Sequence, residues 1–255
     1  MTLRPASAAA LVALTLAGCG DETQAPGTDG PPAVEPAGAV RAPAAGPAPR
    51  RPADRLAAID GDAAVHPVRR LALRRAPHGR PLARVGRRTE FGSPRWMPVV
   101  RRKGAWVAVI APERANGRLG WLPLRHLRVS RVDVRLHVDL SARRLTVRRG
   151  GRTVLRMPVG VGAAGTATPT GRFAVTDGLH PAAGSPYGCC ILALSGHQPN
   201  VPQGWTGGDR IAVHGTSAPS SVGAAVSSGC LRARDGDLRR LMALAQLGSI
   251  VRIRA

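Results

Sequence analysis

Hydrophobic and polar residues alternate in several segments of the second half of the chain. Val132 to Val138 alternates strictly, and the segments Arg144 to Val147 and Thr153 to Met157 flank the pair Gly150-Gly151. Alternation with a period of two predicts strands with one buried face, and two such segments around a glycine pair predict a β-hairpin. Further strands are expected around Arg172–Val175, Cys190–Leu194 and Arg210–Val213.

One helix is expected after these strands. Asp235 or Asp237 is a suitable N-terminal cap, and Gly248 is suited to stop the helix. Between them, apolar residues recur with helical spacing at Leu238, Leu241, Met242 and Ala245. The segment Ile250 to Ile253 then predicts a closing strand.

The preceding segment, residues 56–129, carries short apolar runs separated by turn residues. Arg101 to Gly104 predicts a hairpin turn, and several short strands at this spacing predict a small barrel. Trp106 to Val109, followed by Gly120 to Pro123, resembles the end of a bacterial SH3-like domain. The tryptophans Trp106 and Trp121 either line a peptide groove or pack at the core or rim, as tryptophans more often do. In both cases a non-catalytic module is expected.

The N-terminal residues predict export. Arg4 precedes a short apolar run, Ala8 to Ala17, which is too short to span a bilayer comfortably. Leu16-Ala17-Gly18-Cys19 resembles a bacterial lipobox, so residues 1–18 are expected to be a lipoprotein signal peptide and Cys19 to be lipidated. The alternative is an ordinary signal peptide with an incidental cysteine. Residues 19–55 are rich in Pro, Ala and Gly and are expected to form a disordered tether.

The chain is strongly basic. Its 37 basic and 15 acidic residues give a formal net charge of +22, and Lys103 is the only lysine. Such a charge draws a protein toward polyanions, whether nucleic acid, an anionic wall polymer or lipid head groups. Nucleic acid is not expected as a partner. The chain has only four Trp, one Tyr and two Phe, no nucleic-acid recognition motif, and an export signal.

Cys230 and His214 are the candidate reactive pair. A cysteine attacks as its thiolate, and a neighbouring imidazole can take the thiol proton. His214 follows the apolar run Ile211 to Val213, so it is expected where a strand ends, with its side chain at the rim of the sheet. Cys230 lies sixteen residues later, and Arg232 beside it is suited to a substrate carboxylate. The alternative is that Cys230 is a buried structural cysteine.

The residues around this pair carry a family resemblance. His214 to Gly223, then Ser227 to Arg232, and upstream Thr168 to Phe173 resemble the motifs of L,D-transpeptidase (YkuD) catalytic domains, in the family's order. The likeness runs from about residue 131 to 254 and implies a catalytic domain over residues 130–255. One departure is Ser228, where many members have a second histidine. His214 is therefore the one motif histidine left to act as the base.

Roles for the site residues follow from this likeness and from their chemistry. Cys230 would be the nucleophile and His214 the base, with the backbone carbonyl of Gly215 orienting the imidazole. Backbone N–H groups around Gly229 and Cys230 would stabilise the tetrahedral oxyanion. The missing side chain of Gly229 would let the substrate come close.

The supporting residues have weaker assignments. Ser227 and Ser228 would support the oxyanion loop by hydrogen bonds, although serine in a tight loop is often only a turn former. Arg232 and Thr216 would bind substrate, with a plain surface arginine as the alternative for Arg232. Thr168 and its neighbours predict a shape-setting turn rather than a chemical role.

The remaining cysteines predict no disulfide framework. Cys189 and Cys190 are adjacent, so only a strained vicinal disulfide could join them, and a bond from either to Cys230 would block the nucleophile. We expect one of the two to be a small core residue of a strand. No metal or cofactor is expected, because no histidine has a partner at zinc-like spacing and no phosphate loop or dinucleotide fingerprint occurs.

The expected protein is mainly β, with a small SH3-like barrel over residues 56–129 followed by an L,D-transpeptidase β-sandwich domain with short helices. The resemblance implies an enzyme that cross-links peptidoglycan stem peptides through a cysteine thioester. The alternatives are an L,D-carboxypeptidase that hydrolyses the same bond and a non-catalytic wall-binding lipoprotein. The expected location is the cell envelope, on the outer face of the cytoplasmic membrane or in the periplasm, as a monomer anchored through Cys19.

Overall fold

Two β-sheets dominate the computed structural model of the protein. The structure describes residues 35–36, 40–43, 62–200 and 208–255. Strands greatly outnumber helical residues in this part of the chain, which confirms the mainly β fold class. No helix among the described residues is long and apolar enough to cross a membrane. The predicted signal peptide and the lipidation site at Cys19 lie outside the described residues, and the domain bounds stay predictions.

The first sheet has seven antiparallel strands in the order β4-β3-β7-β6-β5-β2-β8. Its strands are β2 (Ala63–Pro67), β3 (Leu71–Arg74), β4 (Pro81–Val85), β5 (Met97–Lys103), β6 (Trp106–Val109), β7 (Gly120–Pro123) and β8 (Leu127–Arg131). A core of buried aliphatic side chains, including Val65, Leu73, Val107 and Leu122, holds the sheet together.

Two sequence expectations for this sheet can be compared with its geometry. The turn predicted at Arg101 to Gly104 falls later, because residues 101 to 103 continue the β5–β6 ladder and the reversal occurs at Gly104, whose φ is 55°. Trp106 is half-buried and its indole N–H donates to His78 Nε2 at 3.1 Å. Trp121 is also half-buried. Neither ring is fully buried in the core, and both the role of the two tryptophans and the SH3-like assignment remain predictions.

The second sheet positions the candidate site. Its strands run in the order β11-β10-β9-β18-β13-β14-β15-β17, and β1 pairs with β13. They are β1 (Glu35–Pro36), β9 (Val134–Asp139), β10 (Arg144–Arg149), β11 (Arg152–Pro158), β13 (Gly171–His180), β14 (Ile191–His197), β15 (Arg210–His214), β17 (Leu231–Arg232) and β18 (Ile250–Arg254). The pairs β9–β18 and β15–β17 are parallel, and the others are antiparallel.

Smaller elements complete this half of the protein. β12 (Val161–Gly162) and β16 (Ala225–Ser227) form a two-stranded parallel sheet, and α1 spans Asp235–Leu244. Short 3₁₀ turns lie at Leu124–His126, Ala164–Thr166 and Pro219–Ser221. The hairpin predicted around Gly150 and Gly151 is present as β10–β11, and both glycines have positive φ, as a tight turn requires.

The predicted helix is present, but its cap differs from the expectation. Arg234 occupies the N-cap position and makes no capping bond through its side chain, while Asp235 and Asp237 lie in the first turn. Carboxylates there still interact favourably with the N-terminal end of the helix dipole. Leu238, Leu241 and Met242 are buried against the sheet, so the apolar stripe read from the sequence is correct.

Residues 35–36 and 40–43 fall within the segment predicted as a tether, and they contact the second sheet. β1 pairs with Leu179 and His180 at the end of β13, and the carbonyl of Arg41 accepts from the N–H of Leu247 at 3.0 Å. Val40 is buried at 7% exposure beside Gly178, where a side chain would overlap it. These few residues are therefore part of the packed fold.

Polar contacts join the two sheets. The Asn116 amide donates to the His197 carbonyl at 2.7 Å and accepts from the His197 N–H at 2.9 Å. The Thr89 hydroxyl donates to the buried Asp177 carboxylate. Because charged and hydrogen-bonded pairs need defined geometry, these contacts fix how the first sheet lies against the second. A further ion pair, Glu90 with Arg210, joins the same two sheets.

Candidate functional site

His214 is the last residue of β15 and has one defined tautomer. Its Nδ1 lies 2.6 Å from the carbonyl oxygen of Gly215. A carbonyl oxygen can only accept, so Nδ1 carries the proton and Nε2 is left with a free lone pair. Nε2 is therefore the atom that can take a proton from a neighbouring group.

The surroundings keep the His214 ring neutral. The pKa of His214 is lowered to about 4, and burial is the largest cause. The hydrogen bond to the Gly215 carbonyl raises the pKa by a smaller amount, and the charge of Arg232 lowers it. The side chain of Tyr187 packs edge-on against the ring, with centroids 4.9 Å apart. An imidazole that is neutral at pH 7 is the form that a general base requires.

Cys230 directly precedes β17, the strand next to β15 and His214. β15 and β17 are parallel, with Val213 opposite Leu231 and His214 opposite Arg232. Val213 and Leu231 are in the core, and His214 and Arg232 lie on the other face of the two strands. The Cys230 thiol receives a hydrogen bond from the backbone of Ala212 on β15, so it lies beside the strand that ends at His214.

The thiol of Cys230 is free and protonated in its resting environment. Burial raises the pKa of the Cys230 thiol, while a backbone hydrogen bond from Ala212 and the charge of Arg232 act in the opposite direction. Since the pKa of His214 is lowered at the same time, thiol and imidazole rest as a neutral pair rather than as thiolate and imidazolium.

Arg232 is held by its backbone rather than by its side chain. Its N–H donates to the Gly160 carbonyl at 2.9 Å, and its carbonyl accepts from the Gly160 N–H at 2.8 Å. The guanidinium forms no ion pair with any described residue. Its charge acts on both His214 and Cys230, so it lies near both and is available to a carboxylate.

The loop before Cys230 is closed by its own hydrogen bonds. The Ser227 hydroxyl donates to the Cys230 carbonyl at 2.6 Å and accepts from the Gly229 N–H at 3.2 Å. Of the two N–H groups expected to stabilise an oxyanion, the one at Gly229 is thus already used by Ser227. The Cys230 N–H has no acceptor among the described residues and is the donor left for that role.

Gln198 is a site residue that the sequence did not indicate. It is 5% exposed, and its amide nitrogen donates to the carbonyls of Thr166, Ala167 and Ser228 at 3.0, 3.2 and 3.2 Å. It also fills the space where a side chain on Gly229 would lie. Gln198 therefore ties the cysteine loop to the 166–168 turn. It is far from Cys230 in sequence and belongs to no motif, so no sequence signal pointed to it.

Gly215 is surrounded so closely that a side chain cannot fit. A Cβ at this position would overlap the Asp235 carboxylate and would lie 2.9 Å from the Gly188 Cα and from the Tyr187 carbonyl oxygen. Its N–H donates to the Cys190 carbonyl at 3.2 Å. The absent side chain thus lets the loop that carries Tyr187 approach His214.

Thr216 and Thr168 brace turns. The Thr216 hydroxyl accepts from the Ala218 N–H at 3.0 Å, which uses it within the loop after His214. The buried Thr168 hydroxyl accepts from the Gly162 N–H at 2.9 Å, in agreement with a shape-setting turn. The substrate-binding role of Thr216 stays a prediction.

Residues 133–253 match the family of the L,D-transpeptidase catalytic domain, YkuD. The match includes Cys230, His214 and the strands that hold them. This part of the chain is similar to the YkuD catalytic domain.

Relatives of this part of the chain are found in two bacilli. The chain is 33% identical over 122 residues to the YkuD protein of Bacillus licheniformis and 30% identical over 122 residues to that of Bacillus subtilis. Each match covers 48% of this chain and 66% of the relative. The chain thus spans somewhat less than two thirds of the length of these relatives.

Solved structures give weaker likenesses to the same domain. A mutant L,D-transpeptidase of Enterococcus faecium is 20% identical with a TM-score of 0.38, covering 48% of this chain and 50% of that one. An L,D-transpeptidase of Mycobacterium smegmatis is 18% identical with a TM-score of 0.37, covering 60% and 69%. LdtMt1 in complex with imipenem is 16% identical with a TM-score of 0.40, covering 58% and 90%. These likenesses carry no argument about function.

One expectation for the cysteines of this part of the chain is wrong. Cys189 and Cys190 form a vicinal disulfide, where no disulfide was predicted. Cys190 is a buried core residue, but Cys189 is only half-buried and remains beside it rather than on the opposite face. The reason is that Cys189 lies before β14 and directly follows the turn from Ser185 to Gly188. The alternation of side chains between the two faces of a strand therefore does not apply to it. Cys230 remains free.

No group of three His, Cys, Asp or Glu side chains within the described ranges is placed to hold a metal ion.

Proposed function

We propose that the YkuD domain is a cysteine-dependent acyltransferase that acts on peptidoglycan stem peptides, with Cys230 as nucleophile and His214 as general base. The observation that carries this proposal is the His214 tautomer. With Nδ1–H bound to Gly215, the lone pair of Nε2 is free, and the Cys230 thiol lies beside the same strand through its hydrogen bond from Ala212. A structural cysteine would need no such partner.

The reaction begins with a neutral pair. Cys230 Sγ forms a bond to the carbonyl carbon between the third and fourth stem residues, while its proton passes to His214 Nε2. The Cys230 N–H would stabilise the oxyanion. Collapse breaks the carbon–nitrogen bond, and the leaving amine takes the proton from His214. The tripeptide then remains on Cys230 as a thioester.

The second half of the reaction regenerates the thiol. The side-chain amine of the third residue of a neighbouring stem attacks the thioester and gives up a proton through His214, and Cys230 leaves as the thiol. A 3→3 cross-link results. Arg232 would hold a carboxylate of the stem peptide, since its guanidinium is near both reacting groups and forms no ion pair there.

A product assay tests this proposal. The full chain is incubated with a disaccharide-tetrapeptide, and the products are weighed by mass spectrometry. Cross-linked dimer with free D-alanine supports transfer, and monomeric tripeptide would instead assign an L,D-carboxypeptidase. Unchanged substrate would favour a non-catalytic wall-binding protein. Cys230→Ala is the matched control and should abolish both products, so turnover by this variant would overturn the nucleophile assignment.

A covalent probe gives a second readout. A carbapenem presents a strained acyl group, and we expect its intact mass to be added to Cys230. LdtMt1 has been solved in complex with imipenem. An unchanged protein mass after prolonged exposure would contradict a reactive thiol at this position.

The location at the cell envelope follows from the proposed substrate. A lipid anchor on Cys19 would hold the domain outside the cytoplasmic membrane. We expect Cys19→Ala to release the protein from the membrane fraction, and continued retention would contradict the anchor.

A further inference from the structure

An arginine-lined cavity lies away from Cys230, between the two sheets. Its volume is about 690 Å³, within the range of small-ligand sites. One wall is formed by β5 and the loop between β6 and β7, and the other by the starts or ends of β13, β14 and β18. Six arginines line it, namely Arg101, Arg114, Arg118, Arg172, Arg252 and Arg254.

Few of these charges are neutralised. Arg254 forms an ion pair with Asp139 at 2.9 Å. Glu113 is the acidic residue next to the lining loop, but it pairs with Arg95 at 2.6 Å. The arginines at positions 101, 118, 172 and 252 are exposed and form no hydrogen bond or ion pair through their side chains with another described residue.

The sheet register places two of these arginines directly opposite each other. Arg172 on β13 faces Arg252 on β18, and Arg252 faces His137 on β9. Like charges on opposite positions of neighbouring strands destabilise a sheet. An anion bound between them would remove that cost, so their pairing is better explained by a ligand than by stability of the free protein.

The positive potential extends across the outer face of the same sheet. The pKa of His137 is lowered by burial first and then by the charges of Arg148, Arg252, Arg135 and Arg254. Arg135 is itself paired with Asp62, and Arg254 with Asp139. The field at His137 remains positive in spite of these two acids.

We propose that this cavity binds a linear phosphodiester polymer. Guanidinium groups bind phosphate oxygens in pairs of hydrogen bonds, and several unpaired guanidiniums around one cavity suit a ligand with closely spaced phosphates. A lipid surface is a less suitable partner, because the arginines line a concave cavity. Nucleic acid is also disfavoured, because the one aromatic residue in the lining, Phe173, is buried at 2% exposure and offers no ring for base stacking.

The test measures binding of a fluorescent glycerol-phosphate oligomer to the full chain by anisotropy, across a series of salt concentrations. Two double variants each remove, from one wall, the two arginines that make no side-chain hydrogen bond or ion pair with a described residue: R172Q/R252Q on the second sheet and R101Q/R118Q on the first. The matched control is R84Q/R128Q, which removes two exposed arginines outside the cavity. All three lower the net charge equally.

We expect each cavity variant to weaken binding by about 10-fold. The slope of log affinity against log salt concentration should fall by the amount that corresponds to the loss of about one to two phosphate contacts. The control should change affinity by less than about 2-fold, since a diffuse charge loss removes no guanidinium–phosphate contact. R172Q/R252Q should unfold at the same or a higher temperature than the unchanged chain, so a loss of binding would not reflect misfolding.

Four results would overturn the proposal. Equal losses in all three double variants would show non-specific attraction, and equal binding of poly-glutamate would remove the preference for phosphate. Tighter binding of a single-stranded oligonucleotide of equal charge, or of anionic vesicles through the same arginines, would assign another partner. Cys230→Ala should bind the oligomer like the unchanged chain, so this test is independent of the proposed acyl transfer.

Discussion

The amide nitrogen of Gln198 donates to the carbonyl oxygen of Ser228 at 3.2 Å, two residues before Cys230. The same amide bonds to Thr166 and Ala167, so one buried side chain fixes two loops that meet at the candidate site. Loops that carry reacting groups need such support, because a small displacement of the nucleophile lowers the rate strongly.

Gln198→Ala should therefore loosen the Cys230 loop. The carbonyls of Thr166, Ala167 and Ser228 would lose this part-buried donor, which we expect to lower the free energy of unfolding by about 0.5–1.5 kcal/mol. The rate of acylation of Cys230 by a carbapenem should fall by about 10-fold or more. Gln246→Ala is the matched control, since the Gln246 side-chain oxygen has no hydrogen-bond partner. Equal acylation rates in the two variants would contradict a positioning role for Gln198.

Gly215→Ala should damage the site through overpacking. The added methyl group would overlap the Asp235 carboxylate and press against the loop at Gly188, so it would displace the carbonyl that orients His214. We expect a loss of about 1–3 kcal/mol in unfolding free energy and a slower acylation. Gly165→Ala, where a methyl group meets nothing within 4 Å, should change either quantity little. Urea unfolding and acylation rates of both variants check this prediction.

His214 should make the protein less stable in acid. The unfolded chain holds this histidine at its ordinary pKa of 6.5, whereas the fold lowers its pKa to about 4. The unfolded state therefore binds the proton first, and stability that is present above pH 6.5 is lost as the pH falls toward 4. The loss attributable to this residue is about 2–3 kcal/mol at a pH of about 4.5.

His214→Gln isolates that contribution from the other histidines. The difference in unfolding free energy between neutral pH and a pH of about 4.5 should be smaller in the variant by about 2–3 kcal/mol. An unchanged difference would mean that the ring does not lose its proton on folding.

Cys230 should react slowly with iodoacetamide at neutral pH. Because burial raises the pKa of its thiol, the alkylation rate at Cys230, followed by peptide mass, should keep rising above pH 8.5 without a neutral plateau. His214→Gln should show the same profile, since the resting pair is neutral. A fast, pH-independent rate near neutrality that is lost in the variant would instead indicate a thiolate–imidazolium pair.

Local sequence patterns predicted much of the second sheet. Strict alternation gave the strands around Val134 to Asp139 and Arg144 to Arg149, because the side chains of a strand alternate between core and surface. The family motifs pointed to Cys230 and His214. This was possible from the sequence because the chemistry of a thiol and an imidazole depends on residue type, which is also a local property.

Long-range contacts could not be obtained in this way. Gln198 and Tyr187 contact the site from other segments of the chain, and the cavity between the sheets takes its arginines from β5, β13 and β18. The vicinal disulfide was missed because its state depends on where the turn before β14 ends.

The sequence by itself determined the mainly β class, the export signal as a prediction, and the identity of the candidate nucleophile and base around Cys230. The tertiary structure decided the tautomer of His214, the neutral resting pair, the use of the Gly229 N–H by Ser227 and the convergence of unpaired arginines on one cavity. Residue types and their periodicity are local properties, whereas burial, register and charge environment arise only when distant segments pack together.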